Sequence, residues 1–163
     1  MANISPVSWQ SVSSAFSPDG ALRDIYVLDT TLEDWQRFWQ WLLAGGIKTT
    51  FNVDSVRSSA PDDVQYAFRL RPAQSPCCLL DWHGIELACH FFCPEEIEFD
   101  LVPSKVTAAT WPHLLQFLVQ VGDLLGKPIR LTDENAREAV IVAYDPCTTT
   151  FLQHSRTSSA GAA

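Results

Sequence analysis

The sequence has little positive charge and no long apolar segment. Its 163 residues contain 11 Lys and Arg against 19 Asp and Glu, which gives a formal net charge of −8 at pH 7. Binding to a phosphate backbone requires clustered basic side chains, so we expect no nucleic-acid partner. No run approaches the roughly 18 apolar residues of a membrane span. No basic residue precedes Arg23, as a secretory signal would require, so we expect a cytoplasmic protein without a membrane partner.

Motifs that identify common enzymes and metal sites are also missing. The seven glycines are scattered, so no glycine-rich loop brings the backbone close to a phosphate. The patterns Gly-x-Ser-x-Gly and His-Glu-x-x-His do not occur. Cys89 and Cys93 have three residues between them, which is not the Cys-x-x-Cys spacing of a zinc knuckle. We therefore expect no metal and no cofactor.

The composition is that of a folded domain. Apolar residues make up 47% of the chain and aromatic residues 11%, so a single sizeable core can form. The predicted order β-α-β-β-β-β-β-α-β-β has runs of strands with two separated helices, which indicates an α+β fold. We expect a largely antiparallel sheet of about six to eight strands with the two main helices packed on one face. Residues 1–20 are predicted to be a flexible arm, 21–154 a single domain and 155–163 a disordered tail.

Apolar spacing and capping residues predict the individual elements. Thr31 is predicted to cap a first helix, with Asp34 at the capping-box position. Thr110 is predicted to cap a second helix over 111–125. Thr132 is predicted to cap one further helical turn through residue 137. Alternating or β-branched residues predict strands at 22–28, 47–53, 64–70, 97–102 and 129–131, and a central strand buried on both faces at 139–144.

Residues 77–93 carry the most specific structural signal in the chain. Two apolar runs flank His83 and Gly84, and a glycine readily adopts the positive φ that a two-residue hairpin turn needs. The resulting register gives the hairpin one apolar face. That face pairs Trp82 with Ile85, Leu80 with Leu87 and Cys78 with Cys89, and the other face pairs Asp81 with Glu86, Leu79 with Ala88 and Cys77 with His90.

The carboxylates on and near this hairpin are the candidate site. Asp81 and Glu86 face each other, and like charges at that separation raise one pKa, so such a pair can act as acid and base. Together with His90 they are the candidate catalytic group, although the spacing supplies neither a nucleophile nor an oxyanion donor. The simpler interpretation is a solvated acidic face. That face continues through four further acids, Glu95, Glu96, Glu98 and Asp100.

The helices present a second candidate surface. The helix over 111–125 carries a single full charge, and Leu115 and Val119 lie off its apolar stripe. Trp41 lies off the stripe of the first helix. Either other parts of this chain cover these three residues, or they form a partner surface, because exposed apolar patches with aromatic residues mark interfaces.

Three functions follow from these features and remain open. The first is a small acidic protein-binding module, for example an inhibitor or immunity-type protein that covers the basic site of a toxin or nuclease. The acids would steer this partner, and Trp82 near the hairpin tip would anchor it. The second is a subunit of a homo-oligomer joined through the charge-poor helices. The third is an enzyme of unknown class that uses the carboxylate pair and His90.

Overall fold

The computed structural model describes residues 6–154, and within them the chain forms a nine-stranded antiparallel sheet. In chain order the strands are β1 (Arg23–Leu28), β2 (Lys48–Val53), β3 (Val56–Arg57), β4 (Pro76–Trp82), β5 (Ile85–Cys93), β6 (Glu96–Leu101), β7 (Ile129–Asp133), β8 (Ala136–Asp145) and β9 (Thr150–Gln153). They lie side by side in the order β3-β2-β4-β5-β6-β1-β7-β8-β9. The α+β prediction is confirmed, with more strands than the expected number of about six to eight.

The described helices pack on one face of this sheet. The α-helices are α1 (Trp9–Val12), α2 (Leu32–Ala44), α3 (Gln65–Leu70) and α4 (Trp111–Leu125), and two short 3-10 helices cover Ser13–Phe16 and Pro103–Lys105. Ring contacts tie α2 to the sheet, with centroids 5.1 Å apart for Trp35 and Phe91 and 5.5 Å apart for Phe38 and Phe99. Phe117 of α4 contacts the same Phe99 ring at 5.3 Å. None of the described helices is both long and apolar enough to cross a membrane.

The two main helices begin where the sequence predicts, but only one has the predicted cap. The Thr31 hydroxyl accepts a hydrogen bond from the Asp34 N–H, and the Asp34 carboxylate accepts one from the Thr31 N–H, so the capping box is formed. Thr110 makes no side-chain cap to α4. Its hydroxyl instead donates to the Lys105 carbonyl and accepts from the Thr107 N–H, which stabilises the loop before the helix.

The central hairpin forms in the predicted register. His83 and Gly84 both have positive φ, at 53° and 88°, and all six predicted residue pairs between β4 and β5 are present. The apolar face of the hairpin is buried against the helices. The face that carries Asp81, Glu86 and His90 therefore points away from the helices.

The strand predicted at 64–70 is wrong, because this segment forms α3. Val64 and Ala67 are buried while Tyr66 is 46% exposed, which is helical spacing and not alternation. The Asp63 carboxylate accepts a hydrogen bond from the Gln65 N–H in the turn before the helix, and α3 itself has no side-chain cap. Phe68 then packs on Trp35 and Phe91.

Two predictions for the C-terminal third are also wrong. Residues after Thr132 form no helical turn; Asn135, with φ of 54°, lies in a tight turn that joins β7 to β8. The segment 139–144 lies in β8, which is next to the edge strand β9 and not central. Register shifts in the β7–β8 pair interrupt its alternation, so only part of the segment is buried.

In its described part, the N-terminal segment carries aromatic residues that contact α4. Trp9 and Phe16 stack with centroids 5.7 Å apart, and both contact the ring of Trp111. The indole N–H of Trp111 donates to the Val7 carbonyl at 2.7 Å. This segment therefore packs onto the start of α4. Residues 1–5, and the tail predicted at 155–163, lie outside the described residues.

Candidate functional site

The face of the sheet opposite the four α-helices is not covered by any of them, and we call it the open face. Side chains alternate along each strand, so the residues before and after a buried core residue on the same strand point to the open face. In the centre of the sheet the open face carries Cys77, Leu79 and Asp81 of β4, Glu86, Ala88 and His90 of β5, Glu98 and Asp100 of β6, and Asp24 and Tyr26 of β1.

The predicted carboxylate pair lies at one end of the open face and is exposed. Asp81 and Glu86 are directly opposite each other. The Asp81 carboxylate accepts a hydrogen bond of 2.8 Å from the Gly84 N–H, so it also holds the hairpin turn. Both acids line a cavity of about 480 Å³ together with Lys48 and Lys105.

His90 does not join this pair. It lies four residues from Glu86 on the same strand, which is about 13 Å. Its Nε2 atom lies 2.6 Å from Oδ2 of Asp100. The hydrogen bond to Asp100, followed by a contact with Cys77, raises the pKa of His90 to about 10. A ring that is cationic at neutral pH cannot act there as a general base, so the expected assisting role for His90 has no geometric support.

His90 lies instead beside a second cavity of about 570 Å³. Phe92 stacks on the imidazole with centroids 5.0 Å apart, and the guanidinium carbon of Arg71 lies 5.3 Å from the centre of the Phe92 ring. Alternation along β5 places Phe92, two residues after His90, on the open face as well. Cys77, which is opposite His90 in the hairpin, lines the same cavity.

The middle of the open face holds a row of partly buried acids. Asp24 is 3% exposed and accepts hydrogen bonds from the Tyr26 hydroxyl at 2.9 Å and the Asn135 N–H at 2.7 Å. Burial raises the pKa of Asp24 despite these two bonds. Burial also raises the pKa of Glu98, and the nearby charge of Asp24 adds to this shift. Glu98 forms no ion pair with a cation in the described part of the chain.

The remaining two predicted acids, Glu95 and Glu96, differ in burial and in ion pairing. Glu96 is 9% exposed, and its carboxylate binds Arg137, with Oε2 at 2.6 Å from Nη2. The Arg137 guanidinium also lies over the Tyr26 ring at 5.4 Å. Glu96 is therefore already neutralised within the chain. Glu95 is exposed in the turn between β5 and β6, at the end of the sheet.

The predicted apolar contact residues lie on the helix side and are mostly covered. Trp82 is 6% exposed, and its indole N–H donates to the His113 carbonyl at 2.6 Å, so it is a core residue and cannot anchor a partner. Leu115 is also 6% exposed. Trp41 is packed between the rings of Phe38 and Trp82. Val119 is partly buried against the same core, so these residues form no exposed patch; assembly through the helices stays a prediction.

Arg71 and Asp24 are the site residues that the sequence does not reveal. Arg71 follows α3, and a strand at 64–70 would have directed it elsewhere. Asp24 has a weak signal, since it alternates with the buried residues of β1 and so belongs to the open face. Among residues 6–154 no three His, Cys, Asp or Glu side chains converge as metal ligands.

Comparison of the chain with protein-family models, with curated proteins and with solved structures finds no match in any of the three.

Proposed function

We propose that the protein is a protein-binding module whose open face docks a basic segment of a partner protein. The observation that carries this proposal is the charge state of that face. Asp81, Glu86 and Glu98 lie on it, and none has a Lys, Arg or His nitrogen within ion-pair distance in the described residues. With a net charge of −8, the protein attracts a cationic partner to these carboxylates.

The burial of Glu98 makes this face better suited to binding than an ordinary acidic surface. Its carboxylate has lost part of its water, which is why its pKa is raised. A lysine or arginine of a partner that reached this carboxylate would restore the lost interaction with a charge-assisted hydrogen bond.

The open face also offers apolar contact area between its charges. Leu79 and Ala88 lie between the two cavities, and Phe92 is 46% exposed. Apolar and aromatic contacts at the centre with charges around them are the usual composition of a protein interface. The form of this function that we favour is an inhibitor or immunity-type protein that covers a basic site on its target. The five cysteines are free thiols, which suits action in the cytoplasm.

A pair of charge-matched variants tests this function. Asp81→Asn, Glu86→Gln and Glu98→Gln together remove three negative charges from the open face. Asp29→Asn, Glu33→Gln and Asp62→Asn remove the same charge from exposed positions in the turn after β1, on α2 and before α3. The probe is a peptide of mixed lysine, arginine and leucine, with an otherwise identical peptide in which glutamate replaces the basic residues. Calorimetry measures binding at about 0.02 M and about 0.3 M salt.

We expect the native protein to bind the basic peptide and not the acidic one, with weaker binding at high salt. The open-face variant should lose at least about tenfold in affinity, while the control variant should lose much less. Equal losses in the two variants would show attraction by net charge alone and would refute a docking site. No binding of the basic peptide at low salt would refute it as well.

A further inference from the structure

The second cavity of the open face contains a cysteine that the proposed docking function does not use. Cys77 is partly exposed at the wall of the 570 Å³ cavity, directly across the β4–β5 hairpin from His90. On the other side of His90, the Asp100 carboxylate lies 2.6 Å from the Nε2 atom of the imidazole. A sulfur, an imidazole and a carboxylate therefore follow one another across three neighbouring strands.

The charges in this group favour reaction at sulfur. An imidazolium beside a cysteine stabilises the negative charge that develops on sulfur as it loses its proton. The raised pKa of His90 supports this state of the ring, since Asp100 keeps it cationic well above neutral pH. The remaining cysteines differ in their surroundings. Cys78 and Cys89 are buried in the core, and Cys93 is partly exposed, with a pKa raised by burial. Cys147 is exposed, with its backbone N–H bonded to the Asp145 carboxylate.

The same cavity contains a cation to receive a negatively charged ligand. Arg71 lines it and makes no ion pair among residues 6–154; its guanidinium contacts the Phe92 ring. A guanidinium binds carboxylates and other planar anions through paired hydrogen bonds. Phe92, Pro76 and Leu79 give the cavity apolar walls, so a small molecule with an apolar part and an anionic end fits its chemistry.

We propose that Cys77 is a reactive thiol that takes a small anionic electrophile, which Arg71 binds in this cavity. His90 and Asp100 are positioning residues, since they act on the sulfur through charge. Iodoacetate is the simplest probe of this class. In its reaction the sulfur–carbon bond forms and the carbon–iodine bond breaks. Iodide leaves with the electron pair of that bond, and the thiol proton passes to the solvent.

Competition between two alkylating reagents tests the site, with Cys147 as the internal control. Iodoacetate carries a carboxylate and iodoacetamide does not, so their rate ratio at each cysteine reports the local charge. Peptide mass spectrometry after short exposures at pH 7 gives both rates for Cys77 and Cys147 in the same molecule. The native protein is compared with Arg71→Gln, Arg71→Lys and His90→Gln, and circular dichroism confirms that each variant is folded.

We expect Cys77 to react about tenfold faster than Cys147, and its preference for iodoacetate over iodoacetamide to exceed that of Cys147. Arg71→Gln should remove this preference, while Arg71→Lys should keep most of it. His90→Gln should slow both reagents at Cys77. Equal reactivity of Cys77 and Cys147 would overturn the proposal, as would a reagent preference that survives in Arg71→Gln. Neither outcome depends on whether a basic protein docks on the open face.

Discussion

His90 Nε2 and Asp100 Oδ2 lie 2.6 Å apart on neighbouring strands, although the residue directly opposite His90 is Glu98. The pair is therefore diagonal across the β5–β6 ladder, and a one-residue slip of either strand would separate it. It connects the acidic row in the middle of the open face with the cavity that contains Cys77 and Arg71.

This pair should make the stability of the protein depend on pH. The groups that face the imidazole are Asp100 and Glu98 from β6, Cys77 from β4 and Arg71 beyond Phe92. The folded-state pKa of His90 is raised from 6.5 to about 10. Its contribution is therefore fully present below about pH 6.5 and is lost as the pH rises toward 10.

Chemical denaturation at several pH values measures this contribution. The free energy of unfolding of the native protein should exceed that of His90→Gln by on the order of 2 kcal/mol at pH 6, and the difference should shrink toward pH 10. The difference between the two unfolding free energies cancels the titration of groups that are common to both proteins. A difference that stays constant over this range would mean that the His90–Asp100 contact is not an ion pair in solution.

Trp82 should behave as a core residue in spite of its place beside the hairpin turn. It is 6% exposed, contacts Trp41 and Phe117, and donates a hydrogen bond to His113. Trp82→Ala should lower the free energy of unfolding by about 3–5 kcal/mol. The matched control is Phe92→Ala on the adjacent strand, because Phe92 is 46% exposed. It should cost less than about 1 kcal/mol. Similar costs for the two variants in urea denaturation would contradict the assignment of Trp82 to the core.

Gly122 should tolerate no side chain, although it lies within α4. A Cβ atom at this position would lie 2.8 Å from Cδ1 of Tyr144. Tyr144 is fully buried, and its hydroxyl donates to the Asp123 carboxylate at 2.7 Å, so the ring has little freedom to move. Alanine favours a helix over glycine by about 1 kcal/mol, but the overpacking costs about 1–3 kcal/mol.

Thermal unfolding distinguishes the two effects at Gly122. Gly122→Ala should lower the melting temperature, while Gln116→Ala on the exposed side of α4 should leave it nearly unchanged. A higher melting temperature for Gly122→Ala would show that α4 does not pack closely on β8.

Local signals explain which parts of the fold were predictable from the sequence. The β4–β5 hairpin followed from Gly84 and two apolar runs, and α2 from the capping box at Thr31. Both depend on residues that are close in sequence. The strand prediction for residues 64–70 was wrong because the apolar residues of this segment fit strand alternation as well as helical spacing. Contacts with Trp35 and Phe91, which are distant in sequence, decide in favour of α3.

The candidate site was predictable only in part for the same reason. The position of Cys77 directly opposite His90 was predictable from the hairpin register. The pairing of His90 with Asp100 depends on the register shift in the β5–β6 pair, which no local residue pattern indicates. The position of Arg71 depends on where α3 packs. Asp81 and Glu86 lie opposite each other as predicted, but four residues of β5 separate Glu86 from His90.

Methyl NMR spectroscopy with the basic peptide tests the docking role of the open face most directly. Leu79 and Ala88 point to the open face, while Leu80 and Leu87, their neighbours on the same two strands, point into the core. If the open face binds the peptide, the methyl signals of Leu79 and Ala88 should shift in proportion to bound peptide, and those of Leu80 and Leu87 should change little. Shifts confined to the methyl groups of α2 and α4, with Leu79 and Ala88 unchanged, would contradict the account.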